Sequence, residues 1–127
     1  MFGGIMKTVL VVDDSKIMRN IVKNTFDLQK IPVHYLEAED GSKAMSVLTT
    51  NKVDLILLDW NMPNLSGIDF LKQIKSMDEY KDIPVVMVTS EAAKLNVIEA
   101  VKAGVAAYIT KPINDKKFAE ILTKVSF

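Results

Sequence analysis

Leu55-Ile56-Leu57-Leu58-Asp59 is the stretch that decides the fold. Four consecutive apolar residues without polar alternation suit a strand buried on both faces, and such strands belong to parallel sheets covered by helices. The run stops at a carboxylate. Working outward, Val9-Leu10-Val11-Val12 stops at Asp13-Asp14, Val85-Val86-Met87-Val88 stops at Thr89, and Ala106 to Thr110 leads into Lys111. In a parallel sheet these ends emerge on one edge. That edge would carry three carboxylates, a hydroxyl and an ammonium.

Between the strand-like runs lie helix-like ones. Residues 16–29 carry apolar side chains at 17, 18, 21, 22, 26 and 28, the period of an amphipathic helix, with Ser15 as its cap. Strand 33–38 precedes a helix over 42–50 entered through Asp40-Gly41. Strand 54–58 precedes a helix over 66–77 with Ile68, Leu71 and Ile74 facing inward. Pro84 opens the fourth strand, where its missing N–H is tolerated. A helix over 92–103 stops at Gly104, strand 106–110 follows, and a helix over 114–125 buries Phe118, Ile121, Leu122 and Val125. Five βα units in series predict an α/β domain, a five-stranded parallel sheet flanked by five helices. The flavodoxin-like order 2-1-3-4-5 places strands 1 and 3 side by side at the switch point, where ligands bind.

The 127 residues suit one domain, with its core over about 7–125. Zero net charge argues against a broad nucleic-acid-binding surface, and the absence of cysteine removes disulfides, thiol catalysis and thiolate metal sites. Residues 1–12 make a poor signal peptide, because Lys7 interrupts them and Asp13-Asp14 follows. No stretch approaches the ~20 apolar residues of a membrane span. A cytoplasmic location with no membrane contact is the expectation.

Three clustered carboxylates repel one another and demand a cation. Oxygen ligands without His or Cys favour a hard ion. Mg²⁺ keeps several waters, so two or three carboxylates and a backbone carbonyl suffice to hold it. Bound there, it would neutralise a phosphoryl oxygen and let the Asp59 carboxylate attack phosphorus. Lys111 adds a second cation, Thr89 a hydroxyl contact. The expected product is an aspartyl phosphate. Asp40 and Asp54 lack such company and read as turn or surface residues. His34, the only histidine, lies on the least regular strand and reads as a surface or packing residue.

The chain resembles the receiver domains of two-component response regulators over nearly its whole length. The matching elements are Asp13-Asp14, the run Asp59-Trp60-Asn61-Met62-Pro63 with Gly67, Thr89, and Lys111-Pro112. Each is weak alone; all four, in order at four strand ends, are specific. The resemblance implies that Asp59 is the phosphoacceptor and that Asp13 and Asp14 organise Mg²⁺ with the Asn61 backbone carbonyl. It implies that Lys111 pairs with the phosphoryl group and that the Lys111-Pro112 peptide is cis. Trp60, Asn61, Glu91 and Tyr108 are similar to the single-domain chemotaxis type. There Asn61 and Glu91 would modulate water access, and Tyr108 would be the rotameric partner of Thr89 in the switch. The extension Met1 to Ile5 precedes the usual family start, and Ile113 stands where Phe is common.

The implied function is a phosphorylation-activated switch with self-phosphorylation and self-dephosphorylation chemistry rather than an enzyme. With no output domain expected, its signal would pass through the surface of helix 4, strand 5 and helix 5. By resemblance the partners are a chemotaxis histidine kinase, a flagellar motor switch protein and a phosphatase, met by a monomer. The alternative is a phosphate sink or phosphorelay intermediate without motor output. An aspartate-nucleophile phosphatase would need an acid two residues beyond Asp59, where Asn61 stands.

Overall fold

A computed structural model describes residues 6–125 and residue 127; Met1 to Ile5 lie outside the described residues. In chain order the elements are β1 (Lys7–Val12), α1 (Lys16–Leu28), β2 (Val33–Ala38), α2 (Gly41–Thr50) and β3 (Leu55–Leu58). They continue with α3 (Gly67–Lys75), β4 (Val85–Thr89), α4 (Lys94–Lys102), β5 (Ala107–Thr110) and α5 (Asp115–Lys124). All strands pair in parallel, in the order β2-β1-β3-β4-β5. The expected fold class and strand order are therefore observed.

Alternation along each strand divides the core into two layers. Leu10, Val12, Ile56, Leu58, Val85 and Met87 pack beneath α2, α3 and Ala100 of α4. Val9, Val11, Leu55, Leu57, Val86, Val88 and Ile109 pack against α1 and α5. On that second face Phe26 of α1 meets Phe118 of α5 edge-to-face, with centroids 5.1 Å apart. This geometry suits the ring quadrupoles and adds roughly 0.5–1.5 kcal/mol beyond area burial. β3 and β4 are buried at every residue, which explains why both read as unbroken apolar runs. Among the described residues, no helix is long and apolar enough to cross a membrane.

Helix ends follow local chemistry. Ser15, Asp40, Ser66 and Asn114 each cap a helix by accepting a backbone N–H with the side chain. Gly104 follows α4 at φ +100, the left-handed conformation that a stop requires and glycine adopts freely. α4 begins at Lys94, not at residue 92, because Ala93 occupies the cap position in an extended conformation and offers no side-chain acceptor. α3 ends at Lys75, where the expected helix ran to 77.

The apolar pattern of α1 needs a correction. Its buried residues are Val22, Thr25 and Phe26, whereas Ile17 and Leu28 are more than two-thirds exposed and Ile21 is also open to solvent. Positions 17, 21 and 28 form a second stripe beside the packed one. Thr25 takes a core position because its hydroxyl donates to the Ile21 carbonyl at 2.8 Å, which removes the cost of burying it.

Candidate functional site

The sheet ladder continues one residue past each strand, and this is what places the polar side chains. Asp13 donates its N–H to the Ala38 carbonyl at 3.0 Å, Asp59 to Val12 at 2.9 Å, and Lys111 to Thr89 at 2.9 Å. Asp13 and Asp59 thus extend the interior strands β1 and β3, and Lys111, at the end of edge strand β5, is tied to interior strand β4. Asp13, Asp59 and Thr89 are buried; Asp14 is exposed.

Asp13, Asp14 and Asp59 each bring a carboxylate oxygen within 4.8 Å of the others. Lys111 Nζ donates to Asp13 Oδ2 at 3.0 Å and reaches Asp59 Oδ2 at 3.4 Å. The Trp60 N–H donates to Asp59 Oδ1 at 2.7 Å, and the Ser15 N–H to Asp13 Oδ1 at 2.8 Å. Three carboxylates face one ammonium, so the cluster carries about two uncompensated negative charges. The donors are all oxygen, one of the three acids is open to solvent, and the site lies at the sheet edge. That set fits a hard divalent cation such as Mg²⁺, which favours oxygen ligands and keeps waters. Beside it opens a cavity of about 380 Å³ lined by Asp14, Trp60, Asn61, Met62, Pro63 and Ser66.

Glu91 sits at the crossing of several contacts. Its carboxylate accepts from Asn61 Nδ2 at 2.8 Å and from Asn96 Nδ2 at 3.3 Å. Its N–H donates to Thr89 Oγ1 at 3.3 Å, and its carbonyl accepts the Tyr108 hydroxyl. Burial, then the Glu91 and Asp59 charges, push the Tyr108 phenol up, so it remains a donor. The Lys111-Pro112 peptide is cis. His34 is exposed on β2, away from these groups, and Asp54 accepts the Thr8 N–H at 2.8 Å as a local tie.

The residues to which the sequence assigns a site role thus lie at one end of the sheet or reach it from the adjoining loops and β5, whereas His34 and Asp54 lie elsewhere. Two further residues take part that no sequence motif marks. Arg19 donates from Nη1 to the Asp13 carbonyl at 2.6 Å, and Asn96 reaches Glu91 from α4. For Arg19 a signal existed, since it is the sole arginine among sixteen basic residues.

The receiver domain model of response regulators matches residues 9–123. A chemotaxis protein CheY homolog of Campylobacter jejuni is 44% identical over 119 residues, covering 92% of this chain and 90% of the relative. The crystal structure of Vibrio cholerae CheY4 superposes with a TM-score of 0.85 at 31% identity, covering 95% of this chain and 99% of that one. The Mn²⁺-bound form of response regulator Rcp1 superposes with a TM-score of 0.80 at 32% identity, covering 95% and 93%.

Proposed function

The chain belongs to the response regulator receiver domain family, and on that premise we propose that it is a switch phosphorylated on Asp59. One observation supports this most. The carboxylates of Asp13, Asp14 and Asp59 converge within 4.8 Å, and Lys111 bridges two of them.

Asp13, Asp14, Asp59 and the Asn61 backbone carbonyl are the proposed holders of Mg²⁺, a role consistent with the Mn²⁺ bound by Rcp1. The ion supplies charge neutralisation at the phosphoryl oxygens. A carboxylate oxygen of Asp59 forms the new bond to phosphorus while the donor's bond to phosphorus breaks, whether that donor is a phosphohistidine or a small acyl phosphate. Lys111 turns from the carboxylates toward the added oxygens, and the buried Thr89 hydroxyl donates to one of them. Any shift of that hydroxyl toward the phosphoryl group loosens the 3.3 Å bond it accepts from the Glu91 N–H, the same residue whose carbonyl holds Tyr108. Charge at Asp59 is thereby coupled to β5 and, through Asn96, to α4. Couplings of this kind are typically worth about 1–3 kcal/mol, enough to shift a population of states.

The chemotaxis names of the relatives favour a chemotaxis histidine kinase as donor and a flagellar motor switch protein as receiver of the signal at α4, β5 and α5. The test uses Trp60, the only tryptophan and the neighbour of Asp59. Its fluorescence is followed while Mg²⁺ and then beryllofluoride, a phosphoryl mimic, are titrated. A saturable Mg²⁺-dependent change that is lost in Asp59→Asn is expected. No change in a folded chain would overturn the reading.

A further inference from the structure

Resting on the functional reading above, we propose that Arg19 is a positioning residue for the metal-binding acids. It clamps the peptide that joins Asp13 to Asp14. The Arg19 side chain is only 13% exposed and lies between the end of β1 and β2. Nη1 donates to the Asp13 carbonyl at 2.6 Å, while Nε donates to Glu37 Oε1 at 2.9 Å. The Arg19 backbone carbonyl in turn accepts the Tyr35 hydroxyl from β2. Strand β2 thus braces the arginine, and the arginine braces Asp13.

The clamp acts where the site has least other support. Asp13 is tied through both carboxylate oxygens, by Ser15 N–H and Lys111. Among the described residues, the Asp14 carboxylate has no hydrogen-bond or ion-pair partner, and Asp14 is exposed. The direction in which Asp14 leaves the chain therefore depends on its backbone. The Asp13 carbonyl belongs to the peptide on which the Asp14 Cα sits, so a hydrogen bond to that carbonyl fixes the plane from which the Asp14 side chain departs. A guanidinium suits this task because its fork presents two donors at a fixed angle, one for the carbonyl and one for Glu37. A lysine presents its donors from one nitrogen on a flexible stem, so it does not hold the two acceptors at a fixed angle. That the sole arginine in a chain with sixteen basic residues stands here is consistent with this geometry.

Charge and position make opposite predictions. A guanidinium close to a dication repels it, so a purely electrostatic effect of removing Arg19 is tighter Mg²⁺ binding. Loss of a group that orients a metal ligand instead weakens binding, typically 10–100-fold. Because Arg19 acts here through a backbone carbonyl, the lower end applies.

The experiment is a Mg²⁺ titration of the full chain, followed by Trp60 fluorescence and by calorimetry, in the parent, Arg19→Ala and Arg19→Lys. Circular dichroism in EDTA reports folding separately. The apparent Kd for Mg²⁺ is expected to rise about tenfold in Arg19→Ala. A Kd that is unchanged or lower overturns the proposal. Should Arg19→Ala fail to fold, Arg19→Lys decides: it keeps the charge, so weaker binding supports positioning and parental affinity overturns it. A parent that binds no Mg²⁺ by either method overturns the functional reading and this inference with it. A parent that binds, with variants that match it, overturns the inference alone.

Discussion

A Cβ placed on Gly67 would lie 1.9 Å from the backbone oxygen of Asp59. The N-terminus of α3 therefore approaches the proposed phosphoacceptor more closely than any side chain permits, and the Gly67 N–H fastens the loop by donating to the Trp60 carbonyl at 2.8 Å. In Gly67→Ala, helix propensity gains at most about 1 kcal/mol. The clash is with backbone, which no rotamer change relieves, and overpacking typically costs about 1–3 kcal/mol. Sterics prevail. A net loss of about 1–2 kcal/mol is expected by urea denaturation, together with a weaker Trp60 response to Mg²⁺. Parental stability would show that the loop moves away freely.

Lys111 is the cation that makes the metal-free cluster tolerable. Its replacement in Lys111→Met leaves the buried Asp13 and Asp59 facing exposed Asp14 with no ammonium between them. Breaking a buried pair by removing one partner costs about 3 kcal/mol or more. Denaturation in EDTA should show that loss. Mg²⁺ at about 100 times its Kd should return about 2.7 kcal/mol through binding to the folded state. A variant as stable as the parent in EDTA would mean the ion pairs contribute nothing.

Asp14→Asn should act in the opposite direction. It removes like-charge repulsion from an acid that has no partner among the described residues, worth about 1 kcal/mol at the water-like screening of an exposed group. The metal-free chain is expected to melt higher while Mg²⁺ binding weakens sharply, the trade-off between stability and function common at such sites. Thermal melts with EDTA and with Mg²⁺ read both effects. A lower melting temperature in EDTA would contradict the repulsion.

The Asn61–Glu91–Asn96 bridge joins the loop that follows Asp59 to α4. Glu91→Ala severs it. Losing one net hydrogen bond of about 1 kcal/mol corresponds to roughly fivefold in a rate. The lifetime of phosphorylated Asp59 should shorten by about that factor as water gains access. Its decay can be followed after the donor is removed. A parental lifetime would exclude the bridge as a barrier to water.

The alkaline limb of stability should report two phenols. Burial and then Glu37 push the Tyr35 hydroxyl up; burial, then Glu91, push Tyr108 up. Each donates to a backbone carbonyl, of Arg19 and Glu91 respectively, and must keep its proton to do so. The folded state thus holds a proton that the unfolded chain releases near pH ~10. The stability this supplies is fully present below ~pH 10 and declines as pH rises above it. Phenolate absorbance of the parent, compared with Tyr35→Phe and Tyr108→Phe, should show both groups ionising above the ordinary value. Normal titration of all phenols would contradict the two bonds.

Much of this was legible in the chain because burial on both faces writes itself as unbroken apolar runs, as in 55–58 and 85–88. The polar residue ending each run then marks the sheet edge. Side chains whose partner is a main-chain carbonyl leave no such mark. Arg19 stands out in the chain only as the sole arginine, and its role is unreadable until β1 brings the Asp13 carbonyl to it. Asn96 gains meaning only because α4 begins at Lys94 and turns it toward Glu91. Ile17, Ile21 and Leu28 misled for a related reason: helical period reports that a helix has apolar stripes, not which stripe the sheet covers.

The central claim is a covalent one and has a direct measurement. The full chain is incubated with a small acyl phosphate and Mg²⁺, and its mass is determined intact and after reductive trapping and proteolysis. Addition of one phosphoryl group is expected, located at Asp59, absent in EDTA and absent in Asp59→Asn. A folded chain that gains no phosphoryl group, or gains it on another residue, would contradict it.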